Sequence, residues 1–477
     1  MGDSTRRGDV TRRALLGAIG LGAVGATVAA WPRLTGSDIP GRGEDRLTIA
    51  IIGTQADAEA RANLVKEFER QNPGIKVRIM AIQSVDWQDF FSKILTMVAA
   101  GTPPDIVNVA TEGAQLFAER LAHPIDEYVT RDKEDMREYF ADVHPSLVEA
   151  FMYRGHLYQL PIDWNAANMY YNTSAWNAAR LPDPAENWTQ VDFRAALASM
   201  KQAASGDFVP YYWTNRLFGG VVPWLYANNT SFLKEEKAPG GEWLWDEFYG
   251  DSPARSLLSG GYLWQQPNAD APEVYESFDF LRGLVVDGLG VRPEGGGGNT
   301  LVGQFASGRV GTTPAGGYWV QGLHEAGMKP TDYDVQFFPR WATGEGSELQ
   351  RHQFGTAGYA IMKTAKDKEA AWQWLKFSAS LEGMKLIFSN PNTTPSRRSM
   401  VNEELFGVKG PKHWKRFYDT LDRFPATGPI PAPPQQGSVE TALIKNVSLA
   451  VSGSEAQMKS ALQSLQRDLE LALRSNA

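Results

Sequence analysis

The stretch "PIDWNAANMYYN", residues 161–172, decides how the rest of this chain is organised. A proline closes the segment before it, and the aromatic run that ends it predicts a strand. Between these lie an indole, Trp164, and two amides, Asn165 and Asn168. A polar and aromatic stretch at this place predicts that the chain passes here from one structural unit to another.

The segment before this stretch predicts an α/β unit. Apolar runs at residues 47–52 and 106–110 are typical of buried strands, and "IKVRIMAI" alternates like a third strand between them. Helical spacing covers residues 58–72 and 87–100. This β-α-β-α-β order predicts a parallel sheet with helices on both faces. Ligands bind beyond the carboxyl ends of such strands, which here are residues 53–57 and 110–113.

The segment after it is rich in aromatic residues and predicts a second unit. A chain of 477 residues is long for one core, so two domains are expected. Further elements are predicted after residue 172: helices at 188–203, 271–287 and 455–473, a glycine loop at 295–298, a helix end, strand and turn within 305–320, a strand followed by a helix at 356–380, and an extended proline-rich segment at 424–435.

The composition excludes several classes of protein. Hydrophobic residues make up 43% and charged residues 21%, as in ordinary soluble domains, and the net charge of -8 argues against nucleic-acid binding. Without cysteine there is no disulfide, thiolate metal site or acylated N-terminal cysteine. The six histidines are scattered without zinc-site spacing, so we expect no metal and no cofactor.

The N-terminus predicts a targeting segment. The pair in "TRRALLG", residues 11–17, precedes an apolar run at 14–30 that is too short and glycine-rich for a membrane span. We expect residues 1–30 to be a twin-arginine signal peptide cleaved near Ala30, followed by a linker at 31–44. The alternative is an uncleaved anchor.

Six segments together resemble the extracellular solute-binding proteins of ABC importers, in the sugar-binding family that includes maltose-binding protein. Each segment alone is weak, but their shared order is specific. They are "FERQNPGIKV" (68–77), "GTPPDIVNV" (101–109), "GHLYQLPIDWNAANMYYN" (155–172), "FASGRVGTTPAGGYW" (305–319), "KDKEAAWQWLKFSAS" (366–380) and "TTPSRRS" (393–399).

The resemblance implies an α/β fold of the two-lobed periplasmic-binding-protein type II class, with a hinge between the lobes. The first lobe would comprise residues 45–163 plus 355–394, and the second 164–354 plus 395–477. The function implied is capture of a sugar, a di- or oligosaccharide, by hinge closure, without catalysis. The partners implied are the carbohydrate and the permease subunits of the transporter. A monomer is expected in the periplasm or outside the cell, with no lipid anchor through cysteine.

Trp164 and Asn165 are the first candidate ligand contacts, because the resemblance puts them at the mouth of the cleft. Sugars offer C–H faces to aromatic rings and hydroxyl edges to amides or carboxylates. The alternative is that Trp164 is a core residue and Asn165 caps a turn. Trp319, with Tyr318 beside it, would form a stacking floor from the second lobe, or would pack locally in its loop.

The remaining candidates follow predicted strands, lie in the aromatic middle segment or lie at proposed crossings. A core or bracing role is the alternative for several of them, and bracing is favoured for Arg397. They are Gln55, Asp57, Trp87, Thr111, Glu112, Trp213, Trp224, Gly355 and Arg397.

Two other functions stay open at this point. A secreted glycosidase would need two carboxylates across a sugar pocket, and the many acidic residues do not exclude one. The same fold could also bind a non-sugar solute. A polyamine would need inward acids, for which Asp57, Glu112 and Asp163 are available, and a glycerol phosphate would need inward basic residues.

Overall fold

The computed structural model describes residues 46–293, 298–342, 350–388, 394–402 and 410–475, with side chains from residue 301 onward in the second of these ranges. The predicted signal peptide, the linker and most of the glycine loop lie outside the described residues. In the part of the chain that is described, no helix has the length and apolar character needed to cross a membrane.

Fifteen strands occur in the described ranges, in two larger sheets and two hairpins. They are β1 Arg46–Ile52, β2 Lys76–Ile82, β3 Ile106–Ala110, β4 Met152–Tyr153, β5 His156–Leu157, β6 Gln159–Ala166, β7 Asn168–Asn172, β8 Val209–Tyr211, β9 Leu233–Lys237, β10 Tyr262–Pro267, β11 Val310–Ala315, β12 Tyr333–Gln336, β13 Gln353–Ile361, β14 Thr394–Pro395 and β15 Gly428–Pro429.

The described helices surround these sheets. The α-helices are α1 Gln55–Ala60, α2 Ala62–Gln71, α3 Trp87–Ala99, α4 Thr111–Leu116, α5 Asp126–Arg131, α6 Lys133–Asp142, α7 Pro145–Glu149, α8 Thr173–Ala178, α9 Gln190–Ala203, α10 Val222–Ala227, α11 Glu242–Phe248, α12 Pro272–Val286, α13 Gly298–Ala306, α14 Trp319–Glu325, α15 Lys368–Ala379, α16 Leu381–Ile387, α17 Arg416–Arg423, α18 Gln436–Ala450 and α19 Glu455–Arg474. A π-helical turn, Phe117–Leu121, follows α4.

The first lobe is built on a seven-stranded sheet in the order β14-β6-β13-β3-β1-β2, with β15 paired to β13. Strands β1 and β3 are parallel, as predicted, but β13 is antiparallel to both β3 and β6. The sheet is therefore mixed, because a strand from far along the chain inserts beside the predicted β-α-β-α-β unit. On β1, Ile49 and Ile51 pack in one hydrophobic cluster and Ala50 packs in another, so both faces of the sheet are covered.

The second lobe is built on a four-stranded sheet in the order β12-β7-β11-β8. Strand β7 is antiparallel to both β11 and β12, while β11 runs parallel to β8. This sheet is also covered on both faces, since Met169 and Tyr171 pack in one cluster and Tyr170 in another. The chain leaves the first sheet at Ala166 and enters the second at Asn168.

The predicted division assigned all of residues 164–354 and 395–477 to the second lobe, but β15 pairs in the first lobe's sheet and one helix packs in the first lobe's core. Leu244 and Trp245 of α11 are fully buried in the same cluster as Phe140 and Leu147 of the first lobe. This helix lies between β9 and β10 in the chain, and the two strands connect it to the second lobe. The other predicted boundaries between the lobes stay predictions.

Candidate functional site

A cavity of about 400 Å³ lies between the two lobes. From the first lobe it is lined by the carboxyl ends of β1 and β3, residues 85–88, and parts of β6 and β13. Parallel strands end in backbone groups and side chains that converge on open space, so this edge of the sheet is where a site can form. The second lobe contributes residues 214–219, Leu301, Pro314, Tyr318, Trp319, Gln436 and Glu440.

Six of the thirteen candidate residues line this cavity: Trp87, Glu112, Asn165, Tyr318, Trp319 and Gly355. Asp163, which the sequence analysis raised as an inward acid, lines it as well, and so does Thr356 next to Gly355. The structure does not bring the remaining seven into the cavity lining: Gln55, Asp57, Thr111, Trp164, Trp213, Trp224 and Arg397.

Trp164 is excluded from the cavity by the alternation of its strand. Successive side chains of a strand point to opposite faces. Asp163 and Asn165 therefore face the cavity, while Trp164 is only 4% exposed and packs in the first lobe's core. The core role weighed for Trp164 in the sequence analysis is the one that the structure shows.

Trp213 and Trp224 are core residues of the second lobe. The indole N–H of Trp213 donates to the carbonyl of Val291 at 2.8 Å, and that of Trp224 donates to the Tyr211 hydroxyl at 2.8 Å. These partners satisfy the polar edge of each ring inside the core. Neither ring is left to stack on a ligand.

Gln55 and Asp57 serve the start of α1. The Asp57 carboxylate accepts the backbone N–H of Thr54 at 2.7 Å, which completes a capping box, and the Gln55 amide donates to Glu59 at 3.3 Å. Thr111 is 4% exposed and donates its hydroxyl to Glu112 at 3.3 Å. Thr111 therefore contacts Glu112, which lines the cavity, but does not line the cavity itself.

Arg397 is 2% exposed and forms ion pairs with Glu138 and Asp142, each at 2.7 Å. Its guanidinium ties the segment after β14 to α6. This is the bracing role that the sequence analysis favoured over contact with a ligand.

A polar contact joins the lobes at the floor of the cavity. The amide oxygen of Asn165 accepts the backbone N–H of Tyr318 at 3.3 Å and the Thr394 hydroxyl at 3.2 Å. The turn of the second lobe lies very close to Asn165 and Thr394. A Cβ at Gly316 would lie 2.7 Å from the Asn165 Cβ, and one at Gly317 would lie 2.8 Å from the Thr394 hydroxyl oxygen. The two glycines let the second lobe's turn reach Asn165.

Aromatic rings form part of the cavity wall. Trp87 is partly exposed and stacks on Phe91, with ring centroids 5.7 Å apart. Tyr318 is 38% exposed and lies 6.1 Å from the ring of Phe218. Trp319 lines the cavity while packing against Tyr170, with 5.6 Å between the ring centroids.

Three partly exposed carboxyl groups are the other feature of the wall. Burial raises the pKa of Glu112 to about 7, and the nearby Glu440 adds to this shift. Burial also raises the pKa of Asp163 to about 7, although its carboxylate accepts the backbone N–H of Ala357 at 3.0 Å. The pKa of Glu440 is raised as well, mainly by burial.

The sequence analysis missed Arg216, Phe218 and Glu440. Arg216 donates to Asp86 at 3.1 Å, so an ion pair connects the second lobe to the start of α3 in the first. Arg216 and Phe218 lie just after Trp213 in "YYWTNRLFGG". The sequence analysis chose Trp213 from this stretch, and that residue is in the core. Glu440 lies one turn into α18, far along the chain, where nothing in the sequence marks it.

This arrangement defines a class: a two-lobed α/β protein whose lobes enclose a polar and aromatic cavity at their junction. The bacterial extracellular solute-binding protein family matches residues 53–385. The chain belongs to that family, and the predicted fold class is confirmed.

Individual relatives share this architecture at low identity. A putative binding protein of Brucella abortus (strain 2308) is 25% identical over 340 residues, covering 70% of this chain and 72% of the relative. An ABC substrate-binding protein of Listeria monocytogenes in complex with cycloalternan has a TM-score of 0.65 at 18% identity, covering 89% of this chain and 98% of that one. The Thermus thermophilus maltotriose-binding protein bound with maltotriose also has a TM-score of 0.65, at 18% identity, covering 90% and 100%.

Proposed function

We propose that this protein captures a carbohydrate between its lobes and delivers it to the permease of an ABC importer. The observation that carries the proposal is the make-up of the cavity wall. Trp87 and Tyr318 present aromatic surface to the faces of sugar rings, while Glu112 and Asp163 present carboxyl groups to their hydroxyls. The solved structures with cycloalternan and maltotriose support a sugar as the ligand class.

The cavity size fits this proposal. A volume of about 400 Å³ lies within the range of small-molecule sites, roughly 300 to 1,000 Å³. Binding from both lobes couples the ligand to hinge closure, because only contacts made in the closed arrangement favour it over the open one. The predicted division into lobes is part of this proposal, with β15 and residues 238–261 assigned to the first lobe instead of the second.

Export and assembly complete the proposal. The twin-arginine pair supports export of the folded protein through that route, to the periplasm or the medium. The chain acts there as a monomer, without a cysteine-linked lipid and without catalysis. A secreted glycosidase is the function from another class that the experiment must separate from binding.

A thermal-shift screen of mono-, di- and oligosaccharides tests the proposal. A ligand present at 100 times its dissociation constant stabilises the folded protein by about 2.7 kcal/mol, which is a readily measured shift. Each hit is confirmed by calorimetry with the Tyr318→Ala variant as the control for the site. Release of chromophore from aryl glycosides, or the lack of any sugar among the hits, would contradict binding without catalysis as the function.

A further inference from the structure

The charged side chains of the cavity wall are unbalanced. Its described lining carries four carboxyl groups, from Asp86, Glu112, Asp163 and Glu440, and one cationic side chain, Arg216. Arg216 is engaged with Asp86 at 3.1 Å. The other three carboxyl groups face a half-open cavity, and no lysine or arginine of the described chain lies within 4.0 Å of them as an ion pair, although Arg61 acts on Asp163 at longer range.

Glu112 and Glu440 contribute most to this excess of negative charge at the junction, because they come from different lobes. Glu112 lies on α4 of the first lobe, and Glu440 lies on α18 in the core region of the second. Each carboxyl group has only a neutral side-chain donor: the Thr111 hydroxyl at 3.3 Å for Glu112, and the Gln436 amide at 2.9 Å for Glu440. The Arg216 guanidinium favours the charged form of both acids, but it is also paired with Asp86, so bringing Glu112 and Glu440 together opposes closure of the lobes unless further positive charge enters.

The nearby rings suit a cation as well as a sugar. Tyr318 and Phe218 lie beside each other on one side of the cavity, and Trp87 is on the first-lobe side. The electron-rich faces of aromatic rings attract an ammonium group, most strongly when water is excluded. Carboxylates and ring faces in one cavity therefore complement a group that is both positively charged and attached to a C–H-rich skeleton.

We infer that the ligand is a glycoside carrying a protonated amino group, which is held between Glu112 and Glu440 while its ring lies against Trp87 and Tyr318. This inference rests on the proposed carbohydrate function and narrows its substrate class. The ammonium group donates hydrogen bonds to both carboxylates and removes their mutual repulsion, and Asp163 accepts from a hydroxyl group of the same ligand.

The pH dependence of binding distinguishes an amino sugar from a neutral one by its sign. The ionisable groups around Glu112 are Glu440, Asp86, Arg216, Tyr318 and Asp163. With its pKa at about 7, Glu112 is half protonated at neutral pH. An ammonium ligand binds the ionised form, so its affinity rises as pH increases through 7. A neutral sugar is enclosed more easily by the protonated form, so its affinity falls over the same range.

The experiment compares three ligands that share a skeleton: the amino sugar, its N-acetyl derivative and the parent neutral sugar. Glucosamine, N-acetylglucosamine and glucose form one set, and the β-1,4-linked disaccharides of each form another. Spermidine serves as a cation without a sugar ring. Calorimetry at pH 5.5 and pH 7.0 measures each dissociation constant, because an amino group with a pKa of about 8 stays protonated over this range while Glu112 ionises.

Matched variants assign the effect to the two acids. Glu112→Gln and Glu440→Gln keep the size and the neutral hydrogen bonds while removing the charge. We expect each to weaken binding of the amino sugar by roughly tenfold or more, the usual effect of losing a charged hydrogen-bond partner, and to weaken binding of the neutral sugar by less. Glu236→Gln, at an exposed position on β9, is the control that changes neither.

The expected result is preference for the amino sugar over both matched ligands by roughly tenfold or more, with affinity that is higher at pH 7.0 than at pH 5.5. Equal or better binding of the neutral or N-acetyl sugar overturns the amino-group inference and leaves the carbohydrate function standing. Binding of spermidine alone overturns both, while binding of no member of either set overturns the amino-group inference and leaves the carbohydrate function to the broader saccharide screen.

Discussion

Trp164 and Trp319 look like equivalent ligand contacts in the sequence, but they occupy different positions relative to the cavity. Both are buried, Trp164 in the first lobe's core and Trp319 in a cluster of the second lobe, but only Trp319 also borders the cavity. The difference arises because a strand alternates its faces, so that the residue beside Asn165 is directed away from the site that Asn165 lines. Prediction at the scale of single residues therefore depends on strand register, which the sequence does not show.

Trp164→Ala and Tyr318→Ala should separate stability from binding. Removing the buried indole of Trp164 leaves a cavity in the core, and we expect it to lower the free energy of unfolding by about 3–5 kcal/mol. Tyr318 is 38% exposed. Its loss should change stability by less than about 1 kcal/mol and weaken sugar binding roughly tenfold or more. Urea unfolding and calorimetry measure the two effects, and a Tyr318→Ala variant with unchanged affinity would contradict the site.

Asp163 should make the stability of the ligand-free protein depend on pH. Burial raises its pKa to about 7 from an ordinary value of 3.8, so between these pH values the folded state holds a proton that the unfolded state has lost. The contribution of Asp163 to stability therefore falls as pH rises from about 4 to 7. Asp163→Asn removes the ionisation and keeps an oxygen that can accept the N–H of Ala357.

We expect Asp163→Asn to raise the free energy of unfolding at pH 8 by about 1–2 kcal/mol and to have little effect at pH 4. Urea unfolding at a series of pH values measures this difference. Asp207→Asn is the control, because Asp207 is exposed. A gain in stability that is the same at both pH values would show that the carboxyl group is not the cause.

At the scale of elements, the turn before α14 depends on its glycines. A Cβ at Gly316 would lie 2.7 Å from the Cβ of Asn165, closer than side chains tolerate, so Gly316→Ala must push the turn away from β6. We expect it to lower the free energy of unfolding by about 1–3 kcal/mol and to weaken ligand binding, because Tyr318 moves with the turn. Thermal unfolding and calorimetry measure these changes.

Gly303 supplies the matched control for this prediction. It lies in α13, and a Cβ there meets nothing within 4 Å. Gly303→Ala should therefore stabilise the protein by roughly 0.5–1 kcal/mol through helix propensity and leave binding unchanged. If both alanine variants behaved alike, the contact between Gly316 and Asn165 would not be the reason for the glycine.

Elements with strong local patterns were predicted closely, and those set by distant contacts were not. Strand β3 was predicted at residues 106–110 and occupies Ile106–Ala110, because a run of apolar residues between turn signals fixes it. The helix predicted at 58–72 is instead two helices that meet at Arg61. The missed signal was the capping box from Thr54 to Asp57, which starts α1 earlier and uses Asp57 for the backbone.

The site was predictable on the first-lobe side and at the glycine turn, where residues follow strands or recognisable motifs. Glu112 follows β3, and Tyr318 follows the paired glycines. Arg216 and Glu440 meet these residues only after the chain has folded, since one lies in an irregular segment and the other on a helix more than 200 residues further along. No spacing rule connects positions that are joined by tertiary structure alone.

At the scale of the whole molecule, the ion pair between Asp86 and Arg216 should bias the lobes toward each other. The pair joins the start of α3 in the first lobe to the 214–219 segment of the second, and both side chains are about 30% exposed. A partly exposed pair contributes roughly 0.2–1 kcal/mol, which shifts an equilibrium between open and closed arrangements by about 1.4-fold to 5-fold. Salt weakens such a pair, because counterions screen its charges.

Arg216→Gln should therefore increase the radius of gyration of the ligand-free protein in small-angle scattering at low salt. Wild type should approach the same value as salt is raised, while the variant should respond less. The control is Arg282→Gln, which breaks an ion pair with Asp279 inside the single helix α12 and cannot move one lobe against the other. Saturating sugar should return both variants to the compact radius, since the ligand contacts both lobes. A radius of gyration that stays the same with ligand, with salt and in the Arg216→Gln variant would mean that the lobes do not move. Hinge closure would then have to be abandoned.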